Sequence, residues 1–246
     1  MVCKSTESVH CPGMSGIDLV AFSVFILLWL GYVWLADGRQ KFARMSLNGL
    51  MAEYRARWIR NSLKRDLKMI DTQIMGGLQN GTGFFASASI IALGGCLSVF
   101  GTINNLDLPG REGLSIFFAG GRAIAEMKLA GLALIFGYAF FKFGWAYRMF
   151  NYCSILFGAL PMVEEAEKDP VSANRAADRV IALNIIAAEN FNGGLRAIFL
   201  SIGYLGWFVN PYVFMAASAF VIVVLVRRQF FSPARRALEA DLQATP

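Results

Sequence analysis

Long apolar runs alternate with polar, basic segments along the chain. Five of these runs approach the roughly 20 residues of helix that cross a hydrocarbon core about 30 Å thick. They predict transmembrane spans at residues 17–36, 84–100, 123–143, 191–209 and 211–226. The short alternating segments that mark transmembrane strands are not visible. We therefore predict an all-α, polytopic helical membrane protein with about five transmembrane helices, built as a single membrane domain over residues 17–236.

Further helices are predicted to extend into the cytoplasm. Residues 40–75 carry apolar side chains at helical spacing, with most bases off that stripe, which predicts an amphipathic helix. It either lies on the anionic inner leaflet or packs against other cytoplasmic helices. Asp169 and Pro170 match the N-cap and first turn of a helix over residues 170–190. Residues 123–158 contain no proline, and as one helix they would be about 54 Å long, so this helix is expected either to extend past the membrane or to bend near Gly144.

The two ends of the chain are predicted to lie outside this membrane domain. Residues 1–16 form a predicted leader, which we expect to be disordered up to residue 13, and Met14 matches an alternative start. Residues 237–246 form a predicted C-terminal tail. Neither end is assigned a functional site.

Positive charge is concentrated on one predicted side of the membrane. Lys and Arg follow spans one, three and five, whereas the other side holds few bases. Cytoplasmic loops carry an excess of Lys and Arg, so we predict a bacterial inner (plasma) membrane protein with its N-terminus outside and its C-terminus in the cytoplasm. This topology accounts for most of the net charge of +6, and nucleic acid is not an expected partner.

The predicted topology brings polar residues from several helices to one depth near the cytoplasmic boundary. Charged groups at membrane depth are costly and usually have a partner or a function. Three interpretations remain open: headgroup contacts with structural ion pairs, a polar cavity or pore mouth, or a catalytic site. The members of this polar layer are Asp71, Lys142, Arg148, Asn151, Glu189, Asn192 and Arg196. Near the opposite boundary, Glu126 and Lys128 are expected to anchor span three at the interface.

The sequence carries no recognisable catalytic or metal-binding motif. It has one histidine, His10, and it lacks a GxSxG motif, a P-loop, and HExxH or CxxC spacing. No catalytic residue, cofactor or metal site is therefore predicted, and a non-enzymatic role is favoured. Cys96 and Cys153 lie in apolar helices as small hydrophobes. Cys3 and Cys11 of the leader could pair if the leader is exported.

Several short motifs together resemble a known family. They are FFASAS at residues 84–89, AFFKFGW at 139–145, RMFNY at 148–152, GALP at 158–161, FNGGLRA at 191–197 and RRQFFS at 227–232. The chain is similar over residues 17–236 to the family of domain of unknown function 599. The resemblance implies a bacterial membrane protein with plant relatives, and it implies no activity, substrate or site.

Two functional hypotheses follow from the polar layer and the membrane topology. In the first, the protein is an oligomeric channel, or it binds a small solute or anion at the cytoplasmic boundary. In the second, it is a non-catalytic scaffold or accessory subunit of a membrane complex that binds lipid headgroups. The expected partners are the lipid bilayer, anionic lipids at the basic cytoplasmic face, and further copies of the chain in a homo-oligomer.

Overall fold

The computed structural model describes residues 15–37, 45–103 and 122–244, and it shows helices without strands in these ranges. The predicted leader up to residue 14 lies outside the described residues. The all-α membrane fold is confirmed. The helices are α1 Gly16–Asp37, α2 Leu47–Ser62, α3 Met69–Ile103, α4 Arg122–Gly158, α5 Val163–Lys168, α6 Pro170–Leu205, a 3-10 turn Gly206–Phe208, α7 Pro211–Phe230 and α8 Pro233–Ala244.

Four stretches of helix in the described part of the chain are long and apolar enough to cross a membrane. They are Gly16–Ala36, Met69–Thr102, Ala123–Gly158 and Pro211–Ala240, and they contain four of the five predicted spans. The fifth, residues 191–209, forms the last part of α6 with the 3-10 turn. It belongs to a helix that is polar in its first half, and it lies beside the apolar part of α4.

Helices α4 and α6 pack against each other along most of their lengths. The helices are antiparallel, because Cys153 Sγ approaches the carbonyl oxygen of Val180 at 3.5 Å while Tyr204 Oη donates to the carbonyl of Lys128 at 3.0 Å. Between these points Gly194 faces the ring of Phe143 so closely that no side chain fits. Helix α3 packs on another face of α4, which makes α4 the centre of the bundle.

One end of the bundle, called here the α1 end, is filled by aromatic side chains. It consists of α1, α7, the 3-10 turn, and the parts of α3, α4 and α6 beside them. Phe25, Tyr204, Trp207 and Phe214 are buried and stack at ring-centroid distances of 5.1 to 5.6 Å. The pairs join α1 to α6 and α7, so the apolar spans close around a shared core.

Lys128 is buried at the α1 end, and its predicted role as an interfacial anchor stays a prediction. Its ammonium group donates to the carbonyl of Trp207 at 2.8 Å and lies 5.4 Å from the indole ring centroid. The Trp207 indole N–H donates to Asp18 Oδ1 at 2.8 Å. These bonds replace the water that a charged group would otherwise need, which explains how a lysine is accommodated inside the bundle.

The other end of the bundle, called here the α2 end, is built by α2, residues 69–83 of α3, residues 144–158 of α4, and residues 170–190 of α6. Ile59 and Leu63 are buried against Phe157 and Val180. Of the two interpretations of the amphipathic segment, packing against other helices is the one that the structure shows. Helix α4 spans 37 residues, about 55 Å, and continues through both ends as predicted.

The prediction of one helix over residues 40–75 is wrong, because α2 ends at Ser62 and α3 begins at Met69. The Ser62 hydroxyl donates back to the carbonyl of Ile59 at 2.7 Å, a local bond that competes with continued helix. The turn also lets Trp58 and Arg65 approach Asp71 from one side. A straight helix could not pack on α6 with one half and on α4 with the other.

The predicted helix 170–190 and span 191–209 form one continuous helix, α6. Asp169 caps it by accepting from the backbone N–H of Ser172 at 3.0 Å, and Pro170 occupies its first turn. The start was therefore predicted correctly and the end was not. Similarly, most of the predicted tail from residue 237 belongs to α8, where Ser232 caps the helix through the backbone N–H of Arg235.

The contact between α4 and α6 predicts a stability difference between two glycine substitutions. In Gly194→Ala the new methyl carbon would lie 2.7 Å from two ring carbons of Phe143, whose side chain is fully buried. Overpacking costs roughly 1–3 kcal/mol, so we expect a lower midpoint of thermal unfolding, measured by size-exclusion chromatography after heating in mild detergent.

Gly95→Ala is the matched control on α3, since no atom lies within 4 Å of its added methyl. Alanine favours helix over glycine by up to about 1 kcal/mol, so this variant should be at least as stable as wild type. Equal midpoints for Gly194→Ala and wild type would contradict the close packing of α4 on α6.

Candidate functional site

Asp71 does not face a shared polar layer but lies buried between α2 and α3. Its Oδ1 accepts from the indole N–H of Trp58 at 2.7 Å and from Arg65 Nη1 at 2.9 Å. The side chain is fully buried, whereas Arg65 is partly exposed. Because both donors come from the segment before α3, this carboxylate fixes the turn between the two helices.

Asn151 and Lys142 form two further polar contacts at different positions along α4. The amide of Gln79 on α3 donates to Asn151 Oδ1 at 3.1 Å and to Ser154 Oγ at 2.8 Å. Lys142 Nζ donates to Asn190 Oδ1 at 3.1 Å. The first contact ties α3 to α4 and the second ties α4 to α6, so both residues are engaged in helix packing.

Arg148 is exposed on the outer face of α4, away from the other members of the predicted layer. Its Nε donates to Tyr152 Oη at 2.7 Å, and the guanidinium lies 5.4 Å and 5.9 Å from the ring centroids of Tyr152 and Trp145. An arginine between exposed aromatic rings is typical of a headgroup-level position. The structure therefore separates it from the interior residues.

Arg196 is buried between α6 and α1. Its Nε donates to the carbonyl of Asn192 at 3.2 Å, and its guanidinium lies 5.9 Å from the ring centroid of Tyr32. Gly193, one turn before, leaves room for the side chain of Lys142 at 3.5 Å from where a methyl carbon would stand. The same methyl carbon would lie 3.9 Å from Arg196 Nη2, so the structure brings Lys142 and Arg196 of the predicted layer to one glycine.

Glu189 and Asn192 line a large cleft where the α1 end and the α2 end meet. The cleft has a volume of about 1060 Å³ and is walled by the end of α1, the first half of α2, α3, α4, α6 and α8. Its lining residues are Ala36, Ser46, Leu47, Asn48, Gly49, Met51, Ala52, Glu53, Arg55, Gly77, Leu78, Gly81, Thr82, Phe150, Ile185, Ala188, Glu189, Phe191, Asn192, Ala234, Ala237 and Leu238.

Arg55 is the cation in this cleft wall. Its Nη1 donates to Asn184 Oδ1 at 2.5 Å, and no carboxylate within the described residues forms an ion pair with it. Burial lowers the pKa of the Arg55 guanidinium from its ordinary value. An arginine side chain stays protonated in proteins, so the cleft contains a partly buried cation bonded to a neutral amide.

Asn184 holds Arg55 in place from inside the bundle. The amide is fully buried, and its nitrogen approaches Cys153 Sγ at 3.5 Å and Met75 Sδ at 3.7 Å. Sulfur atoms are weak acceptors, so they orient the amide nitrogen inward and leave the oxygen for Arg55. The position of the cation is consequently set by residues of three helices.

The cleft wall also carries two carboxylates, Glu53 and Glu189, and both side chains are exposed. Glu53 lies two residues before Arg55 on α2 and therefore points to a different side of that helix. The two signs of charge are thus arranged with the cation on the inner wall and the carboxylates in contact with water. Negative charge near the opening limits how much negative charge a ligand can carry.

Sequence reasoning did not find Arg55, Asn184 or Gln79 as site residues. Arg55 was one of many bases in a positively charged segment, and its contact with a residue 129 positions away leaves no local trace. Asn184 had a usable signal, because it is the one amide in the apolar stretch from Val180 to Ile186. A buried amide is costly unless it is hydrogen-bonded, so its position pointed to a partner.

The cleft offers no set of side chains for a metal ion. Within residues 15–37, 45–103 and 122–244, His, Cys, Asp and Glu form no group of three or more that could hold one.

Comparisons with known proteins give a family without an assigned activity. No curated protein and no solved structure matches the chain. A family model described as a protein of unknown function, DUF599, matches residues 20–234. This match covers most of the chain and includes the cleft wall from Ala36 to Ala234. The chain is a helical membrane protein and belongs to the DUF599 family.

Proposed function

We propose that the protein binds a small anionic solute in the cleft, with Arg55 as the group that recognises the negative charge. The observation that carries this proposal is the partly buried guanidinium, which bonds to Asn184 and forms no ion pair with a described carboxylate. Among the hypotheses that the sequence left open, small-solute or anion binding is the one this geometry favours.

The physical argument is the cost of desolvating a charge. A cation that loses water without gaining a counter-charge is unfavourable, and proteins tolerate this where the position serves a function. An oxyanion placed against Arg55 would accept hydrogen bonds from its remaining donors, and guanidinium forks match carboxylate and phosphate oxygens. Binding of an oxyanion would thus offset part of the free energy that the desolvation of Arg55 costs during folding.

The carboxylates of the wall favour a ligand with low negative charge. Glu53 and Glu189 line the same cleft as Arg55, and negative charges near an anionic ligand oppose its binding. A monoanion meets the attraction of Arg55 with the least repulsion from the two glutamates. A carboxylate is a monoanion at neutral pH, and an alkyl phosphate is mainly a monoanion below its second pKa of about 6, so both are tested as separate probes at about pH 5.5.

The binding hypothesis is tested with Arg55→Gln and a matched control on another helix. Protein in nanodiscs of zwitterionic lipid is titrated with octyl phosphate and with octanoate, and protein-free nanodiscs are subtracted. A hydrogen bond to a charged group contributes about 1.5–3 kcal/mol, so we expect Arg55→Gln to weaken binding at least about tenfold. Arg148→Gln removes an exposed arginine outside the cleft and should bind like wild type.

Arg55→Lys is the control for loss of binding through misfolding, because it changes the same residue but retains the positive charge. It should bind the probes better than Arg55→Gln does, provided that both variants elute as monodisperse protein. Equal affinity of wild type and Arg55→Gln for both probes contradicts the proposal. So does equal binding of the neutral probe 1-octanol.

The oligomeric channel is the competing proposal from the polar layer. It requires a ring of copies in which Lys142 faces a conducting path, instead of only bonding Asn190. It predicts anion flux into liposomes that Lys142→Ala lowers, together with a homo-oligomer in mild detergent. Background flux in both proteins excludes conduction. The scaffold proposal predicts that no probe binds the cleft, and it shares the expected contact of the basic face with anionic lipids.

We also propose that the cleft lies at the cytoplasmic boundary of a bacterial inner membrane, with the N-terminus outside. The support is the distribution of bases, since α2 and the last turn of α7 carry arginines at the same end of the bundle. A green fluorescent protein fused after residue 246 is expected to fluoresce, because it folds in the cytoplasm. A dark, exported fusion contradicts this orientation.

A further inference from the structure

We infer that the ligand of the cleft is an amphiphile with one alkyl chain, which lies along a glycine-floored wall of α3 while its oxyanion contacts Arg55. This inference rests on the proposed function and names the chemical class of its ligand. It depends on a different set of residues, so the two can fail separately.

The first observation is that the cleft wall is mostly apolar away from Arg55. Leu47 and Met51 of α2, Leu78 of α3 and Ile185 of α6 line it, as do aromatic and alanine side chains of α4, α6 and α8. A hydrophilic anion such as free phosphate would leave these surfaces in contact with water. A chain of methylenes would cover them, at a gain of about 0.8 kcal/mol for each group moved out of water.

The second observation is the shape of the α3 wall. Gly77 and Gly81 are one turn apart, so they share a face of the helix, and both line the cleft. A methyl carbon built on either residue meets no atom within 4 Å. The helix surface there is bare backbone facing open space, and helix packing is not what keeps these positions small.

The third observation is the size of the cleft, which is sufficient for one alkyl chain and its headgroup. Its volume of about 1060 Å³ lies at the top of the roughly 300–1,000 Å³ range of pockets for small ligands. A single-chain amphiphile with its headgroup fits within that volume. The wall includes Ala36 at the end of the apolar helix α1 and Ala234 just after α7, so the cleft is within reach of amphiphiles dissolved in the bilayer.

The test introduces a larger side chain on the α3 wall, where it would fill part of the cleft. Gly81→Leu places a side chain in the open space beside the chain-binding wall, and Gly95→Leu places the same side chain on the same helix, also in open space, outside the cleft. Both replace a helical glycine with a better helix former, so both are expected to fold. Binding of octyl phosphate and of ethyl phosphate is measured in the zwitterionic nanodiscs described above.

Wild type and Gly95→Leu are expected to bind octyl phosphate at least about tenfold more tightly than ethyl phosphate. Octyl phosphate has six more methylenes, and a tenfold difference corresponds to only a small part of the free energy that burying all six would contribute. Gly81→Leu is expected to lose this preference while it still binds ethyl phosphate through Arg55. Equal octyl phosphate affinity in Gly81→Leu and Gly95→Leu overturns the inference.

Two further outcomes separate the inference from the proposed function. If wild type binds ethyl and octyl phosphate equally and Arg55→Gln abolishes both, the anion site stands and the alkyl chain is excluded. If wild type binds neither probe, the proposed function itself fails. Native mass spectrometry of protein released from membranes distinguishes the sources: a bound single-chain amphiphile that Gly81→Leu displaces supports the inference, and a bound two-chain lipid that it displaces overturns it.

Discussion

The close contact of α6 with α4 is the constraint on which the rest of the structure depends. Gly194 permits it, because the ring of Phe143 occupies the space that any side chain would need. Once the two helices are this close, Lys128 reaches the carbonyl of Trp207 at one end, and Cys153 approaches Val180 at the other. The remaining helices add to this pair: α3 on α4, α7 on α6 and α1 on α7.

The buried polar groups follow from that arrangement in two different ways. At the α1 end, Asp18, Lys128 and Trp207 satisfy one another, and the result is a closed, aromatic core. At the junction with the α2 end, Asn184 can bond Arg55 only because α6 carries it past α2. Two sulfur atoms occupy its nitrogen side, so the amide oxygen is directed towards the cleft. The same pair of helices thus produces a core in which a lysine and a carboxylate are both hydrogen-bonded and a cation that is bonded to a neutral amide.

The sequence predicted which segments form membrane helices better than it predicted the side-chain contacts between those helices. Runs of apolar residues fix which segments are membrane helices, and the N-cap Asp169 with Pro170 fixes where α6 starts. The depth of a residue along its helix can also be predicted from the sequence. The direction in which its side chain points depends on how all neighbouring helices pack. Arg148 and Asn151 were therefore grouped, although one is exposed and the other bonds Gln79. The break after Ser62 and the role of Arg55 depend on partners far along the chain, which no local pattern encodes.

Helix α1 stands first among the described helices, yet its partners come last. Phe25 meets Phe214 at 5.2 Å, and Asp18 receives the indole N–H of a residue 189 positions later. While the ribosome is still producing the chain, α1 lies in the bilayer without the Trp207 indole that later donates to its carboxylate. The final bundle consequently closes only after almost the whole protein has been synthesised. Membrane insertion of the first helix and its assembly into the fold are therefore separate events in time.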